Sequence, residues 1–137
     1  MGSIPGSFTL PSIQCTSQLI NDAGFLSIRE YRLDVNNLRG SSQINISEFA
    51  GATIYRIELL VLDAFTDSSG SQHNIEISCD SAGVLMNAKW NDPNVVGLYS
   101  TPCNATINDK NDGIHITHSL SSMVSGSAIV RFLFVQC

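Results

Sequence analysis

Three histidines are the first side chains in this sequence that could do chemistry, and their spacing limits what they do. His115 and His118 stand three apart as H-x-x-H, while His73 lies alone beside a Ser- and Gly-rich loop. On a strand, residues three apart point to opposite faces, so this pair cannot grip one metal ion. No H-E-x-x-H occurs anywhere. The three imidazoles therefore read as solvated side chains, and no metal site is assigned.

The run Asn108-Asp109-Lys110-Asn111-Asp112-Gly113 has the oxygen ligands that calcium favours. A calcium loop of the EF-hand type also needs Gly at its sixth position and Glu at its twelfth. Counted from Asp109, Gly113 falls fifth and Leu120 falls twelfth, so the pattern breaks twice. Asn, Asp and Gly in a cluster instead specify a turn.

Nucleophilic chemistry has equally little support. Serine is abundant, but no G-x-S-x-G, G-x-G-x-x-G or phosphate-binding loop is present. No catalytic residue and no cofactor is assigned, and the chain reads as a non-enzyme. Cys15, Cys79, Cys103 and Cys137 form no C-x-x-C, which removes zinc-ribbon and thioredoxin readings. Four cysteines allow three disulfide pairings, and the spacing selects none of them. The lack of a secretory signal favours free thiols. It also argues against using the two glycosylation sequons, at Asn45 and Asn104.

Three amphipathic aromatics complete the inventory. Tyr55 falls on an apolar strand face and reads as core, whereas Trp90 stands at a loop edge. Trp90 and Tyr99 are the candidates for stacking on a glycan or meeting a partner.

The elements that must carry these residues follow from composition and period. At 137 residues, 43% hydrophobic and 14% charged, the chain fits one folded domain and is too apolar to be disordered. Net charge is −5, and the seven basic residues are scattered singly, so no nucleic-acid surface is expected. No apolar run approaches the length of a membrane helix. So few charges leave much apolar surface to cover, and self-association is the simplest way to cover it.

Short apolar runs alternate with Asp-Ser-Ser-Gly-Ser, Asn-Asp-Pro-Asn and Gly-Ser clusters, the rhythm of an all-β sandwich. Thr53 to Asp63 is the clearest strand, with Tyr55, Ile57, Leu59 and Val61 opposite Arg56 and Glu58. Asn74–Cys79, Gln43–Ser47, Phe25–Val35 and the Ile114/Ile116 pair alternate in the same way. Ser127 to Cys137 is apolar on both faces and should be covered on both, either by two layers of the domain or by a partner subunit. Residues 1–20, broken by Pro5 and Pro11, are expected to form an extended arm before a single domain over 21–137. The predicted fold is all-β: an antiparallel, jelly-roll-like β-sandwich with an extended N-terminal arm.

One longer pattern goes further. Ile54–Phe65 ends in Ala64-Phe65; a Ser/Gly turn, Asn74–Asp80, Val84-Leu-Met86 and Val96-Gly-Leu-Tyr99 follow. This series resembles a β-sandwich module of tailed-phage virion proteins, over about residues 52–136. In that module a leucine-rich turn precedes Gly-x-Tyr, a loop follows, and a small-residue turn leads into a last hydrophobic strand. Ser125-Gly126-Ser127-Ala128 and Ile129–Val135 fit that ending, while Cys79-Asp80 departs from the glycine usual after the second strand.

Such modules occur in head decoration (cement) proteins and in fibre or spike domains, and many are trimers. The resemblance implies a homotrimer on the outside of a phage capsid, assembled in the host cytoplasm and partnered by the major capsid protein. Ile4, Phe8, Leu10 and Ile13 of the arm are then the candidate capsid-binding residues. A glycan- or receptor-binding tip of a fibre or spike is the alternative. Tips hang from shafts, and no coiled-coil heptad seam is present in this sequence.

Overall fold

The computed structural model describes residues 26–69, 72–109 and 111–136. Eight strands run through them: β1 (Ser27–Asp34), β2 (Gln43–Ile46), β3 (Ala52–Thr66), β4 (Ile75–Cys79), β5 (Gly83–Met86), β6 (Gly97–Thr106), β7 (Ile114–His118) and β8 (Ser125–Gln136). They form two four-stranded sheets, ordered β1-β8-β3-β6 and β2-β7-β4-β5, with every pairing antiparallel. Apart from the β4–β5 hairpin, each successive strand crosses to the other sheet. Eight strands so wound make a jelly roll.

The core lies between the sheets and follows the two-residue period. Ile57, Leu59 and Val61 of β3, Ile75 and Ile77 of β4, Ile114 and Ile116 of β7, and Val130 and Phe132 of β8 are wholly buried. Tyr31, Phe49, Phe132 and Phe134 pack as an aromatic cluster; the Tyr31–Phe132 and Phe49–Phe134 centroids are 5.8 and 5.0 Å apart, edge to face. Such pairs add about 1 kcal/mol each to the burial term. They fasten edge strand β1 and the β2–β3 connection onto β8.

The structure departs from the expected pattern at several places, each for a physical reason. Tyr55 is half-buried rather than core, because a bulge between Ile54 and Arg56 inserts one residue and resets the alternation. Ile54 takes the inward position instead. β1 stops at Asp34, whose carboxylate accepts from the Asn36 and Asn37 N–H groups at 3.0 and 2.9 Å. This capping box turns Val35–Leu38 into a single helical turn, α1.

Val84–Met86 belongs to β5 rather than a turn, and Ser125–Ala128 belongs to β8. After Tyr99 the chain continues as β6 where a loop was expected. β6 is an edge strand, with Ser100, Pro102 and Asn104 exposed on its outer side. Proline is tolerated there because an edge need not donate every N–H. Residues 1–20, proposed as an arm, lie outside the described residues, as do Ile4, Phe8, Leu10 and Ile13.

Candidate functional site

The outer face of the β1-β8-β3-β6 sheet is built in transverse rows by strand register. Glu30, Arg131, Glu58 and Ser100 form one row. Arg131 donates from Nε to Glu30 at 2.7 Å and from Nη1 to Glu58 at 3.0 Å. Beside it, Arg56 Nη1 donates to Ser100 Oγ at 2.7 Å. The next row is Arg32, Ile129, Leu60 and Leu98. Leu98 is 56% exposed, and Leu62 and Val96 at the same end are also exposed.

β8 was expected to be covered on both faces. Its inner side is, but Ile129 and Leu133 on the outer side are only half-buried, with no further sheet of described residues over them. An apolar strip flanked by an ion-pair row therefore faces outward. Such a surface suits protein contact, with the charges setting register and the leucines the affinity.

At one end of the sandwich the β3–β4, β5–β6 and β7–β8 loops are stitched together. His73 is buried between them: Nε2 lies 2.8 Å from Asp67 Oδ2 and Nδ1 lies 2.9 Å from the Ser119 carbonyl oxygen. The His73 N–H donates to Asn94 Oδ1 at 2.9 Å, and Asn94 Nδ2 donates to the Phe65 carbonyl at 2.7 Å. Trp90, Val95, Val96 and Val124 are exposed on these loops and their borders.

Asp67, His73 and Ser119 have the residue types of a hydrolytic triad but not its geometry. His73 Nδ1 lies closer to the Ser119 carbonyl oxygen (2.9 Å) than to Ser119 Oγ (3.3 Å), so the ring is not aimed at the hydroxyl as the base of a triad would be. Ser119 Oγ instead accepts from the Asn74 N–H at 3.0 Å. The group is a structural junction.

The opposite end holds a second polar cluster. Asp112, in the turn read from the sequence, is buried and accepts from Ser81 Oγ (2.5 Å), Ser81 N–H (2.9 Å), Asn108 N–H (3.0 Å) and Cys79 Sγ (3.2 Å). Burial alone would raise its pKa, but the four donors outweigh it and hold the carboxyl at about 2. Next to it, the His115 ring bridges Asn45 (2.6 Å) and Asp80 (2.8 Å), and that contact lowers the Asp80 pKa.

The histidines correct the solvated reading in two of three cases. His73 and His118 are buried, and only His115 is partly open. His118 Nδ1 accepts from the Leu120 N–H at 3.1 Å, and burial lowers its pKa. His115 and His118 do point to opposite faces of β7. Among the described residues no group of three or more His, Cys, Asp or Glu side chains is placed to hold a metal. Cys79 and Cys103 are free thiols, with Cys103 pushed up to about 11 chiefly by burial. Cys15 and Cys137 lie outside the described residues.

Of the two aromatic candidates, Trp90 closes a short 3-10 turn, Ala88–Trp90, and is 55% exposed. Tyr99 is half-buried against the core, and its hydroxyl donates to the Val95 carbonyl at 3.0 Å. Tyr99 therefore holds the β5–β6 loop, and Trp90 is the aromatic that the loop presents. Sequence reasoning missed the His73 and Asp112 junctions, whose partners are up to 46 residues away in the chain. The Asp67…His73 pair flanking a Ser/Gly turn was their one local signal.

No protein-family model matches the chain, and no curated protein sequence matches it. Solved structures match by shape. A chain of the acidic stable capsid structure of Helicobacter pylori bacteriophage KHP30 superposes with a TM-score of 0.50 at 11% identity, covering 80% of this chain and 86% of that one. A chain from the capsid of Ralstonia phage GP4 covers 94% of this chain and 90% of its own, with a TM-score of 0.44 and 11% identity. The Drosophila NLP core, whose structure addresses pentamer formation and histone binding, gives 0.39 at 11% identity, covering 80% and 99%. The likeness to the KHP30 chain is one of fold.

Proposed function

We propose that this chain is a structural phage virion protein, a decoration (cement) protein that binds the outer capsid surface as a homotrimer. It strengthens contacts between coat subunits and acts by binding, without catalysis. One observation carries the reading: the outer face of the β1-β8-β3-β6 sheet, where Leu60, Ile129 and Leu98 share one row that no other sheet of described residues covers. The jelly roll shared with a phage capsid chain supports it. The low charge supports it too, since a protein that coats a shell keeps part of its apolar surface for neighbours.

In this reading the major capsid protein is the partner, and the acidic chain binds neither nucleic acid nor membrane. The N-terminal arm, residues 1–20, is the second contact, with Ile4, Phe8, Leu10 and Ile13 entering apolar pockets on the coat. The test is to add purified protein to particles from which it has been removed. Wild type should rebind and raise the temperature of shell rupture. Failure of wild type to bind such shells would overturn the reading.

Trp90 favours a second reading. A tryptophan 55% exposed on a firmly tied loop end is also what a glycan-binding tip of a fibre or spike presents. Glycan-array or cell binding lost in Trp90→Ala and retained in Leu98→Asp would support the tip.

A further inference from the structure

With 12 acids against 7 lysines and arginines, this chain has carboxylates enough for all its arginines. Most take one. Arg29 pairs with Glu48, Arg32 lies 3.6 Å from Asp34, and Arg131 joins Glu30 and Glu58. On the outer face of the β1-β8-β3-β6 sheet, Arg56 is the exception. It is half-buried, its Nη1 donates to Ser100 Oγ at 2.7 Å, and no carboxylate of the described residues lies within ion-pair distance of it.

The Ser100 bond fixes where the guanidinium stands. Strand register sets Arg56 opposite Pro102, and its side chain leans along β6 to Ser100. Leu98, Ser100 and Pro102 are successive outward residues of that edge strand, and all three are exposed. Two residues of strand span about 7 Å. The charge therefore stands between two apolar side chains, at the spacing of alternate residues in an extended chain. Its planar fork of N–H donors matches a carboxylate, and Ser100 uses a donor of Nη1 alone.

We infer that the coat segment received by this face is acidic at its centre: an extended stretch reading apolar–x–Asp/Glu–x–apolar, its carboxylate on Arg56 and its apolar side chains on Leu98 and Pro102. This rests on the shell-coating reading and names the partner's chemistry at the same surface. Covering a half-buried guanidinium with an apolar partner is costly, whereas a carboxylate gives it charge-assisted hydrogen bonds. Arginines so placed are frequent energetic centres of interfaces. Arg131 does not compete for the acid, because Glu30 and Glu58 already flank it and its row holds one more acid than base. That row repels a further carboxylate and confines the segment to the β6 side.

The test is rebinding of full-length variants to shells stripped of the protein, across a salt series. Wild-type affinity should fall as salt rises, since the charge pair lies near the surface. Arg56→Gln, which keeps a donor for Ser100, should bind at least about tenfold more weakly and with a shallower salt dependence. Arg56→Lys should recover part of the affinity, and Arg56→Glu should fall below Arg56→Gln through repulsion. Arg32→Ala, on the opposite edge strand of the same sheet, should stay within about twofold of wild type. Thermal melts and sedimentation check that each variant keeps the fold and the oligomer.

Wild-type affinity in Arg56→Gln, on shells that the wild type binds, would overturn the acidic segment and leave the shell-coating reading standing. So would wild-type binding indifferent to salt, which needs no variant to fold, or an equal loss in Arg32→Ala, which would make the effect one of general charge. A change of oligomeric state in Arg56→Gln would give the face to a second copy and also overturn the inference. Shells that the wild type does not bind would overturn both readings.

Discussion

Gly126 lies directly under Phe65: a Cβ at position 126 would stand 2.3 Å from Phe65 Cδ1 and 2.7 Å from its Cα. Gly126 also holds φ at 137°, a region that side chains other than glycine rarely adopt. The two residues meet where β3 and β8 slip register between Asp63 and Thr66. The large aromatic at the end of one strand is seated by the missing side chain on its neighbour. The Ala64-Phe65 ending and the Ser-Gly-Ser-Ala segment thus form one structural unit.

Gly126→Ala should therefore destabilise by about 3 kcal/mol or more, from overpacking plus backbone strain. Phe65→Ala should cost about 3–5 kcal/mol through the cavity it leaves. The double variant should be less destabilised than the sum, because removing the ring relieves the clash. Denaturant unfolding of all three checks this, and strict additivity would contradict the coupling.

Strong acid should act at the other end of the sandwich. The Asp112 carboxyl is held at about 2, below its ordinary 3.8. A depressed carboxylate gives stability that is complete above the unfolded value and is lost as pH falls through the folded one. Stability from Asp112 should therefore decline between about pH 4 and pH 2. His118 adds a loss at milder acid: its pKa is lowered, so protonation favours unfolding as pH drops below the ordinary imidazole value. Asp112→Asn should lose about 1–2 kcal/mol at neutral pH and flatten the lower step. Thermal melts of both proteins across the acid range measure it.

The outer sheet face should separate binding from folding. Leu98 is exposed on an edge strand, so Leu98→Asp should change stability by no more than about 0.5 kcal/mol. The same change should reduce rebinding to stripped shells at least about tenfold, if that face meets the coat. Arg131→Ala, which removes the bridge between Glu30 and Glu58, should cost only about 1 kcal/mol of stability.

If the arm is the second contact with the coat, deleting residues 1–16 should abolish shell binding and leave the trimer intact. Sedimentation reads the trimer and particle pull-down reads the binding. Unchanged binding would remove the arm from the account.

How much of this was legible depended on what each strand faces. β3 and β4 announced themselves because one side is core and the other is polar, as Ile57 and Glu58 or Ile77 and Ser78 show. Tyr55 misled because a bulge is a one-residue insertion that leaves no mark on hydropathy. β6 was hidden because an edge strand admits Pro102 and polar residues without cost to a ladder. Asp112 and His73 took their roles from partners brought close only by the jelly-roll crossing. Residue type could show that they are polar, but not that they are buried and bonded.

The central claim is that the chain coats a capsid. Quantitative mass spectrometry of purified particles, scaled to the major coat protein, tests it most directly. The account predicts one copy per coat subunit or a simple fraction of that number. A few to a few tens of copies per particle would point to a fibre or spike component, and absence from the particle would contradict a virion role altogether.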